Sequence, residues 1–307
     1  MKRNFVLVPL AASFLWAQTA QAPLTPTAEW AAHALNQYQV FPNITYLTAT
    51  GYDSKLDIYK RRDTSVAQPT LIFIHGGGWI AGQKEAAIFS IVPWLEMGWN
   101  VVNVEYRMAR VALAPAAVED LQCALRYVAA NAKTYAFDMN KLVLSGESAG
   151  GHLALTTGMI PENAGFDRVC AGGGFAGNET ALPKVAAIVN WYGITDVNDL
   201  LKGSNAKSYA VQWLGSLPNR DEVAHSVSPL TYVRAGLPPI LSIQGDADPI
   251  VPYSQNVRLH EALAKAGVQN ELLTIPNGGH GNFKPEERTR AYQKIREFLA
   301  KNGLGGM

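Results

Sequence analysis

The chain has 307 residues, of which 48% are apolar and 17% are charged, and its formal net charge is +1. This is ordinary globular composition, and the length suits one large α/β domain that folds without metal or disulfide crosslinks. The near-neutral charge provides no basic field, which excludes nucleic acid and anionic membrane surfaces as expected partners.

The first 22 residues differ in kind from the rest. A basic pair precedes an apolar run over residues 5–16, and the small residues that follow fit a cleavage rule ending at Ala22. Residues 1–22 are therefore predicted to be a secretory signal peptide, and the mature chain, residues 23–307, to be exported to the periplasm or the medium. A membrane anchor is the alternative, but an apolar run of 12 residues is too short to cross a bilayer.

After a short linker predicted at residues 23–27, strand and helix patterns alternate along the chain. Strands are predicted at DSKLDIYKR, TLIFI, WNVVNVEYR, KLVLSG, KVAAIVNWYG, PPILSIQG and QNELLTI, and helices at residues 86–96, 115–131 and 286–301 and directly after the motif GESAG. This order predicts an α/β fold. It also predicts that residues 23–307 form a single domain with a mostly parallel sheet covered on both faces.

Two segments interrupt the alternation. Residues 160–181 are rich in glycine and polar residues, and residues 196–235 carry a short helical pattern of their own. Irregular stretches of this length inside a compact domain are usually functional or mobile. Both are therefore predicted to be lid or cap segments over the site described next.

The motif GESAG, residues 146–150, matches G-x-S-x-G and lies between a buried strand pattern and an apolar helix pattern. In such a turn the serine lies at the tip of a strained strand-to-helix connection, and small residues two positions away on each side let the backbone segments approach. Ser148 is the predicted nucleophile. Glu147, directly before it, is predicted to turn away and pack or pair behind the serine.

A serine nucleophile needs a base, and His280 is predicted to fill that role. It lies in the glycine-rich loop NGGHGN, after the last predicted strand and before the last helix. The other histidines are expected to be structural or out of reach of Ser148; they are His33, His75, His152, His225 and His260.

The segment GDADPIVP offers two carboxylates that could orient the base, Asp246 and Asp248. Asp248 is predicted to be the acid, because the turn after the strand points it toward the loop of His280. Asp246 is predicted to form the turn itself by accepting backbone hydrogen bonds. The order Ser148, Asp248, His280 is the order of the α/β-hydrolase triad.

The motif HGGGW, residues 75–79, follows a buried strand, and its glycines allow backbone N–H groups to approach a substrate oxygen. Gly77, Gly78 and the N–H of Ala149 are the predicted oxyanion hole, where one donor typically contributes about 10²–10³ in rate. Aromatic side chains predicted to contact substrate, each with a core role as the alternative, are Trp79, Trp191 and Tyr192.

Cys123 and Cys170 complete the set of chemically notable residues. Because export implies an oxidising compartment, an even number of cysteines favours one disulfide between them; two buried free thiols are the alternative. Two cysteines at this separation do not form a zinc site, and no metal is expected.

Seven segments resemble those of α/β-hydrolases near the hormone-sensitive-lipase-like clade and the feruloyl or acetyl-xylan esterase-like clade (BD-FAE-like): HGGGW, VEYRMA, AVEDLQCALRYV, GESAGGHLA, NWYGITD, GDADPIVP and GGHGN. The resemblance runs from about Asp53 to Leu299. It implies an eight-stranded, mostly parallel sheet and no cofactor. It also implies the roles already predicted for Ser148, Asp248, His280 and the oxyanion glycines.

The resemblance further implies a serine esterase acting through an acyl-enzyme. Export and the tryptophan of HGGGW favour small acyl or hydroxycinnamoyl esters, such as those of plant cell walls, as free or polysaccharide-linked substrates. Two alternatives remain at this stage. One is an amide, formamide or peptide hydrolase with the same triad, and the other is a binding module that has lost catalysis. The sequence leaves the oligomeric state open.

Overall fold

The computed structural model describes residues 23–172 and 182–305. The predicted signal peptide, residues 1–22, lies outside this range. The strands are β1 (Tyr38–Ala49), β2 (Tyr52–Arg61), β3 (Gln68–Ile74), β4 (Asn100–Val104), β5 (Phe137–Glu147), β6 (Ala187–Trp191), β7 (Ile240–Gly245) and β8 (Asn270–Ile275). The α-helices are α1 (Pro26–Gln37), α2 (Ile88–Glu96), α3 (Ala116–Ala130), α4 (Ala132–Tyr135), α5 (Ala149–Met159), α6 (Ser208–Leu214), α7 (Arg220–Ser226), α8 (Tyr253–Lys265) and α9 (Pro285–Lys301).

These strands form one sheet of eight in the order β1-β2-β4-β3-β5-β6-β7-β8. β1 and β2 pair antiparallel, as do β2 and β4, and the other neighbouring strands run parallel. Ile74 at the end of β3 lies opposite Gly146 near the end of β5, so the loops that follow these two strands begin side by side. The predicted α/β-hydrolase fold is confirmed, and its parallel strands direct their following loops to one edge.

Helices cover both faces of the sheet, and each face has its own core. Leu121 of α3, Leu153 of α5 and Leu259 of α8 are buried in one cluster. Trp94 of α2 and Phe298 of α9 are buried in the other. β4 and β6 are buried along their whole length and are mostly apolar, and asparagines are their polar residues.

The N-terminal part of the described chain differs from the prediction. The linker expected at residues 23–27 is already helical from Pro26, with Thr25 as the N-cap whose hydroxyl accepts from the N–H of Ala28 at 3.3 Å. β1 was not predicted. Its register with β2 shifts twice, between Phe41 and Ile44 and again between Thr45 and Leu47, which breaks the apolar–polar alternation that identifies a strand from sequence.

The two segments predicted to be lids lie in different places. Residues 160–172 follow the C-terminal end of α5, about 16 Å along the helix from Ser148 at a rise of about 1.5 Å per residue. They are fixed against α3, where Cys170 forms a disulfide with Cys123 and Arg126 pairs with Glu162 at 3.1 Å. The lid prediction is therefore wrong for residues 160–172; residues 173–181 lie outside the described chain.

Residues 196–235 instead lie at the carboxyl edge of the parallel strands. Tyr209 of α6 borders the cavity that contains Ser148, and its hydroxyl donates to the carbonyl of Ile250 at 3.2 Å. Lys207 donates to the carbonyl of Pro249 at 2.9 Å. Residues 196–235 therefore form one wall of the cavity, which is the position expected of a cap. That this segment opens and closes as a lid stays a prediction.

Candidate active site

Ser148 lies at a sharp turn between β5 and α5. Its φ of 56° is in the left-handed region, which is uncommon for a residue with a side chain. A Cβ at Gly146 would lie 2.4 Å from the carbonyl oxygen of Gly150, and a Cβ at Gly150 would lie 2.1 Å from that of Ile74. The glycines on both sides are therefore required for close backbone approach, which is the reason for the motif.

The three residues predicted as a triad meet in one hydrogen-bonded chain. Ser148 Oγ lies 2.8 Å from His280 Nε2, and His280 Nδ1 lies 2.8 Å from Asp248 Oδ2. Asp246 does not take part; its Oδ1 accepts from the N–H of Asn277 at 2.6 Å and joins two loops. The structure thus assigns the carboxylate beside the base to Asp248, as predicted.

The environment of Asp248 keeps it ionised. Its side chain is fully buried, and burial by itself opposes ionisation. The hydrogen bond and charge of His280 outweigh that effect, together with hydrogen bonds from the N–H groups of Val251 at 3.0 Å and Ile250 at 2.8 Å. The pKa of Asp248 is therefore below its ordinary value, and an ionised carboxylate holds the His280 ring with a proton on Nδ1.

The glycine loop after β3 lies against the nucleophile. Gly77 and Gly78 have φ values of 122° and 61°, and a Cβ at Gly77 would lie 1.9 Å from the carbonyl oxygen of Ala81. Within the described chain, the N–H groups of Gly77, Gly78 and Ala149 donate to no protein acceptor. Gly77 and Gly78 border the cavity of Ser148, where their N–H groups could donate to a substrate oxygen; the role of an oxyanion hole stays a prediction.

The space in front of Ser148, here called the serine cavity, has a volume of about 440 Å³. That is within the usual range for small-molecule sites, about 300–1,000 Å³. Its walls are formed by Gly76, Gly77, Gly78, Glu147, Ser148, Tyr192, Tyr209, Ile250 and His280.

Of the three aromatic residues predicted to contact substrate, Tyr192 alone borders this cavity. The prediction is wrong for Trp79, which is 0% exposed and stacks on Trp213 with ring centroids 4.1 Å apart. It is also wrong for Trp191, which points into the core from β6. The backbone of Trp191 still serves the site, because its carbonyl accepts from the N–H of Ser148 at 2.9 Å.

His152 links three parts of the molecule beneath the site. Its Nδ1 accepts from Trp79 Nε1 at 3.2 Å and its Nε2 lies 2.7 Å from the carbonyl of Val227, which places its proton on Nε2. Burial lowers the pKa of His152 to about 3, so the ring stays neutral. The glycine loop, α5 and residues 196–235 are thereby fixed to one another through one side chain.

Four cavity residues were not predicted as site residues, and one of them, Gly76, belongs to the HGGGW motif whose next two glycines were. Tyr209 lies in the predicted helical pattern of residues 196–235 and Ile250 lies in the motif GDADPIVP, but neither pattern shows which of its side chains faces the cavity. Glu147 was expected to turn behind Ser148, but it borders the cavity, and its Oε1 accepts from the hydroxyl of Ser90 at 2.7 Å. The sequence signal for Ile250 is its position two residues after Asp248. In the structure its side chain is 40% exposed.

Within residues 23–172 and 182–305, no cluster of three or more histidine, cysteine, aspartate or glutamate side chains is placed to hold a metal ion. Over the same residues, none of the helices combines the length and apolar character that crossing a bilayer requires.

Comparison with known proteins extends these observations. The BD-FAE family model matches residues 56–263, more than half of the chain. Esterase LipC of Mycobacterium tuberculosis is 28% identical over 235 residues, which are 74% of this chain and 56% of that protein. The chain thus spans about half the length of the first curated relatives it matches.

Solved structures with similar folds cover most of the chain. A truncated carbohydrate esterase from gut microbiota superposes with a TM-score of 0.72 at 27% identity, over 87% of this chain and 97% of that one. A thermophilic esterase of Thermogutta terrifontis, with propionate bound, superposes with a TM-score of 0.70 at 27% identity, over 87% and 95% of the two chains.

Proposed function

Because the chain belongs to the BD-FAE family, we propose that it is a carboxylic-ester hydrolase that works through an acyl-enzyme on Ser148. The observation that carries the proposal is the chain of two 2.8 Å contacts from Ser148 through His280 to Asp248 beside the free N–H groups of Gly77 and Gly78. The esterase names of the relatives and of the similar structures support it.

In the first half-reaction, His280 Nε2 takes the proton of Ser148 as Oγ attacks the ester carbonyl carbon. The carbonyl oxygen gains negative charge and is stabilised by the N–H groups of Gly77, Gly78 and Ala149. Asp248 stabilises the imidazolium that forms. When the bond to the alcohol oxygen breaks, His280 Nε2 gives its proton to that oxygen, and the acyl group remains on Ser148.

In the second half-reaction, water takes the place of the alcohol. His280 Nε2 removes a proton from the water as its oxygen attacks the acyl carbon, and the same N–H groups stabilise the oxyanion. The proton then passes from His280 to Ser148 Oγ as the acid leaves. The chain's own residues supply every proton transfer, so the proposed cycle needs no cofactor.

For the substrate, we propose small acyl or hydroxycinnamoyl esters, including those linked to plant cell-wall polysaccharide. The serine cavity has about 440 Å³ of space and an aromatic wall at Tyr192 and Tyr209, which suits an acyl group of this size. The similar carbohydrate esterase is consistent with a sugar-linked ester, and the propionate-bound esterase is consistent with a short acyl group.

The test is incubation of the protein with acetylated, feruloylated arabinoxylan, with free acetate and free ferulate quantified and Ser148→Ala as the matched blank. Release of either acid by the wild type alone is the expected result. If neither acid appears but p-nitrophenyl acetate is cleaved, the esterase proposal stands and the polysaccharide proposal is wrong. If only formamide or peptide substrates are cleaved, the ester proposal itself is wrong.

A fluorophosphonate probe separates an enzyme from a binding module that has lost catalysis. We expect the wild type to be labelled at Ser148 and Ser148→Ala to be unlabelled. A wild type that stays unlabelled under conditions that label a known serine esterase would contradict the proposed nucleophile.

We also propose that the protein is exported with residues 1–22 removed. The disulfide between Cys123 and Cys170 supports this, because such bonds persist in oxidising compartments. The test is N-terminal mass analysis of the protein in cytoplasmic, periplasmic and extracellular fractions. An N-terminus at Pro23 outside the cytoplasm is expected, and a full-length cytoplasmic chain would refute export.

A further inference from the structure

A second cleft adjoins the serine cavity at His280. It has a volume of about 340 Å³ and shares three residues with the serine cavity, Glu147, Tyr192 and His280. This space is called the side cleft, and its other walls are Phe89, Ser90, Gly281, Arg288 and Tyr292. The mechanism proposed above uses none of these five.

The geometry of ester cleavage divides a substrate between the two spaces. The carbonyl oxygen must face Gly77 and Gly78, which border the serine cavity but not the side cleft. The leaving oxygen must take a proton from His280, which borders both. The alcohol half of the ester therefore has a path into the side cleft, and the acyl half remains in the serine cavity toward Tyr209 and Ile250.

The side cleft offers both donors and acceptors to a ligand. Glu147 Oε1 accepts from Ser90, and its Oε2 has no protein partner in the described chain. The hydroxyl of Tyr292 donates to the carbonyl of Ser90 at 3.0 Å, which leaves its oxygen free to accept. Arg288 donates to the carbonyl of Gly281 at 2.6 Å through one nitrogen and retains other N–H groups.

An aromatic ring stands at the mouth of this polar cleft. Phe89 is 85% exposed and borders the side cleft, so the face of its ring is open to a ligand bound there. A pyranose ring presents an apolar C–H face and a rim of hydroxyl groups. The flat ring of Phe89 matches the first feature, and the donors and acceptors of Glu147, Arg288 and Tyr292 match the second.

Resting on the ester hydrolysis proposed above, we propose that the side cleft binds the alcohol half of the substrate and selects an uncharged sugar over a simple alkyl alcohol. Glu147 and Arg288 carry opposite charges, so together they favour a neutral polyhydroxylated group over an ion. Phe89 is the specificity-determining residue, because it contacts the sugar face and touches neither the triad nor the oxyanion donors.

The experiment compares two esters with the same acyl group, acetylated xylobiose and methyl acetate. For each variant the measured quantity is the ratio of their kcat/KM values, determined from acetate release. For Phe89→Ala we expect this ratio to fall roughly 3- to 10-fold, mainly through KM for the sugar ester, which is the scale of one aromatic contact. Phe89→Tyr keeps the ring and should retain the ratio, whereas Phe89→Leu keeps only apolar area and should not.

Val66→Ala is the matched control, because Val66 is 68% exposed but lies on the loop before β3, at the opposite edge of the sheet. The side-cleft proposal is overturned if the ratio for Phe89→Ala equals that of Val66→Ala, or if Phe89→Leu retains the wild-type ratio. A wild type that cleaves methyl acetate but discriminates against the sugar ester also overturns it, with ester hydrolysis intact. A wild type that cleaves neither ester refutes the proposed function, and the side cleft with it.

Discussion

The edge of the sheet that carries Ser148 and the region around the disulfide are joined by one helix, α5, but they are held together in different ways. At the first, loops after five parallel strands, β3, β5, β6, β7 and β8, meet through close backbone contacts, glycines and a strained Ser148. At the second, residues 160–172 are fixed to α3 by a covalent bond and by ion pairs of Arg126.

The two regions meet different requirements, accurate placement of a nucleophile in the first and stability of the fold in the second. A nucleophile must be placed accurately even where the backbone conformation is unfavourable, so the surrounding contacts have to hold it there. The disulfide instead stabilises the fold by limiting the freedom of the unfolded chain. We therefore expect changes at the Ser148 edge to affect activity far more than stability, and changes at the disulfide region to do the opposite.

The largest effect is expected for Asp248→Asn. Loss of the carboxylate removes the charge that stabilises the imidazolium and the acceptor that fixes the proton on His280 Nδ1, so kcat should fall about 10⁴-fold. Asp246→Asn is the matched control, since the amide oxygen can still accept from Asn277, and its kcat should stay close to the wild-type value. Equal losses in the two variants, measured on p-nitrophenyl acetate, would contradict the assignment of Asp248.

The next effect in size concerns the disulfide region. Replacing both Cys123 and Cys170 with alanine releases a constraint across a separation of 47 residues, and the free energy of unfolding should fall by about 4 kcal/mol. Urea unfolding measures the change, and kcat/KM at 25 °C should be retained because Ser148 lies at the other end of α5. A large loss of activity in a variant that is still folded would show that the two regions are coupled.

These two regions also show what the sequence could predict. Strands β3, β5, β6 and β7 were located because buried parallel strands are rich in apolar residues. Ser148, Asp248 and His280 were found because motif and chain order restrict them. The position of residues 160–172 did not follow from their glycine content; it follows from connectivity, because α5 begins directly after Ser148 and its 11 residues carry the chain away from that edge. The prediction for Trp79 was wrong because the sequence does not show whether an aromatic residue beside a glycine loop faces a cavity or the core.

A third, smaller effect is expected for His152. This residue lies beneath the Ser148 edge, but it affects the free energy of unfolding rather than the reaction. The folded protein holds the pKa of His152 near 3, whereas the unfolded chain takes up a proton near the ordinary value of 6.5. Between these two pKa values the unfolded state binds more protons than the folded state. The contribution of neutral His152 to the free energy of unfolding is therefore fully present above pH 6.5. It is lost as pH falls from 6.5 toward 3, at about 1.4 kcal/mol per pH unit.

The measurement is the free energy of unfolding at pH 7 and pH 5 for the wild type and His152→Gln. The wild type should lose about 2 kcal/mol more than the variant between these pH values. His75 and His260 also have pKa values lowered by burial, but they are present in both proteins and cancel in the comparison. An identical pH dependence in the two proteins would mean that His152 is not held neutral.

The smallest effect should distinguish two tyrosines of the same segment. Tyr209 donates to the carbonyl of Ile250 at 3.2 Å across the mouth of the serine cavity, whereas Tyr232 donates to the carbonyl of Ser226 at 2.6 Å away from it. One hydrogen bond contributes about 0.5–1.5 kcal/mol. Tyr209→Phe should therefore lower kcat/KM roughly 2- to 10-fold with little change in Tm, because the lost contact positions a cavity wall.

Tyr232→Phe should lower Tm with kcat/KM unchanged, because its hydrogen bond is internal to the segment and does not reach the cavity. Both kcat/KM and Tm are measured for both variants. We expect only kcat/KM to change for Tyr209→Phe and only Tm to change for Tyr232→Phe. If Tyr209→Phe lowers Tm without affecting kcat/KM, residues 196–235 act only as a structural cover, and the distinction between the two regions of the molecule does not extend to this segment.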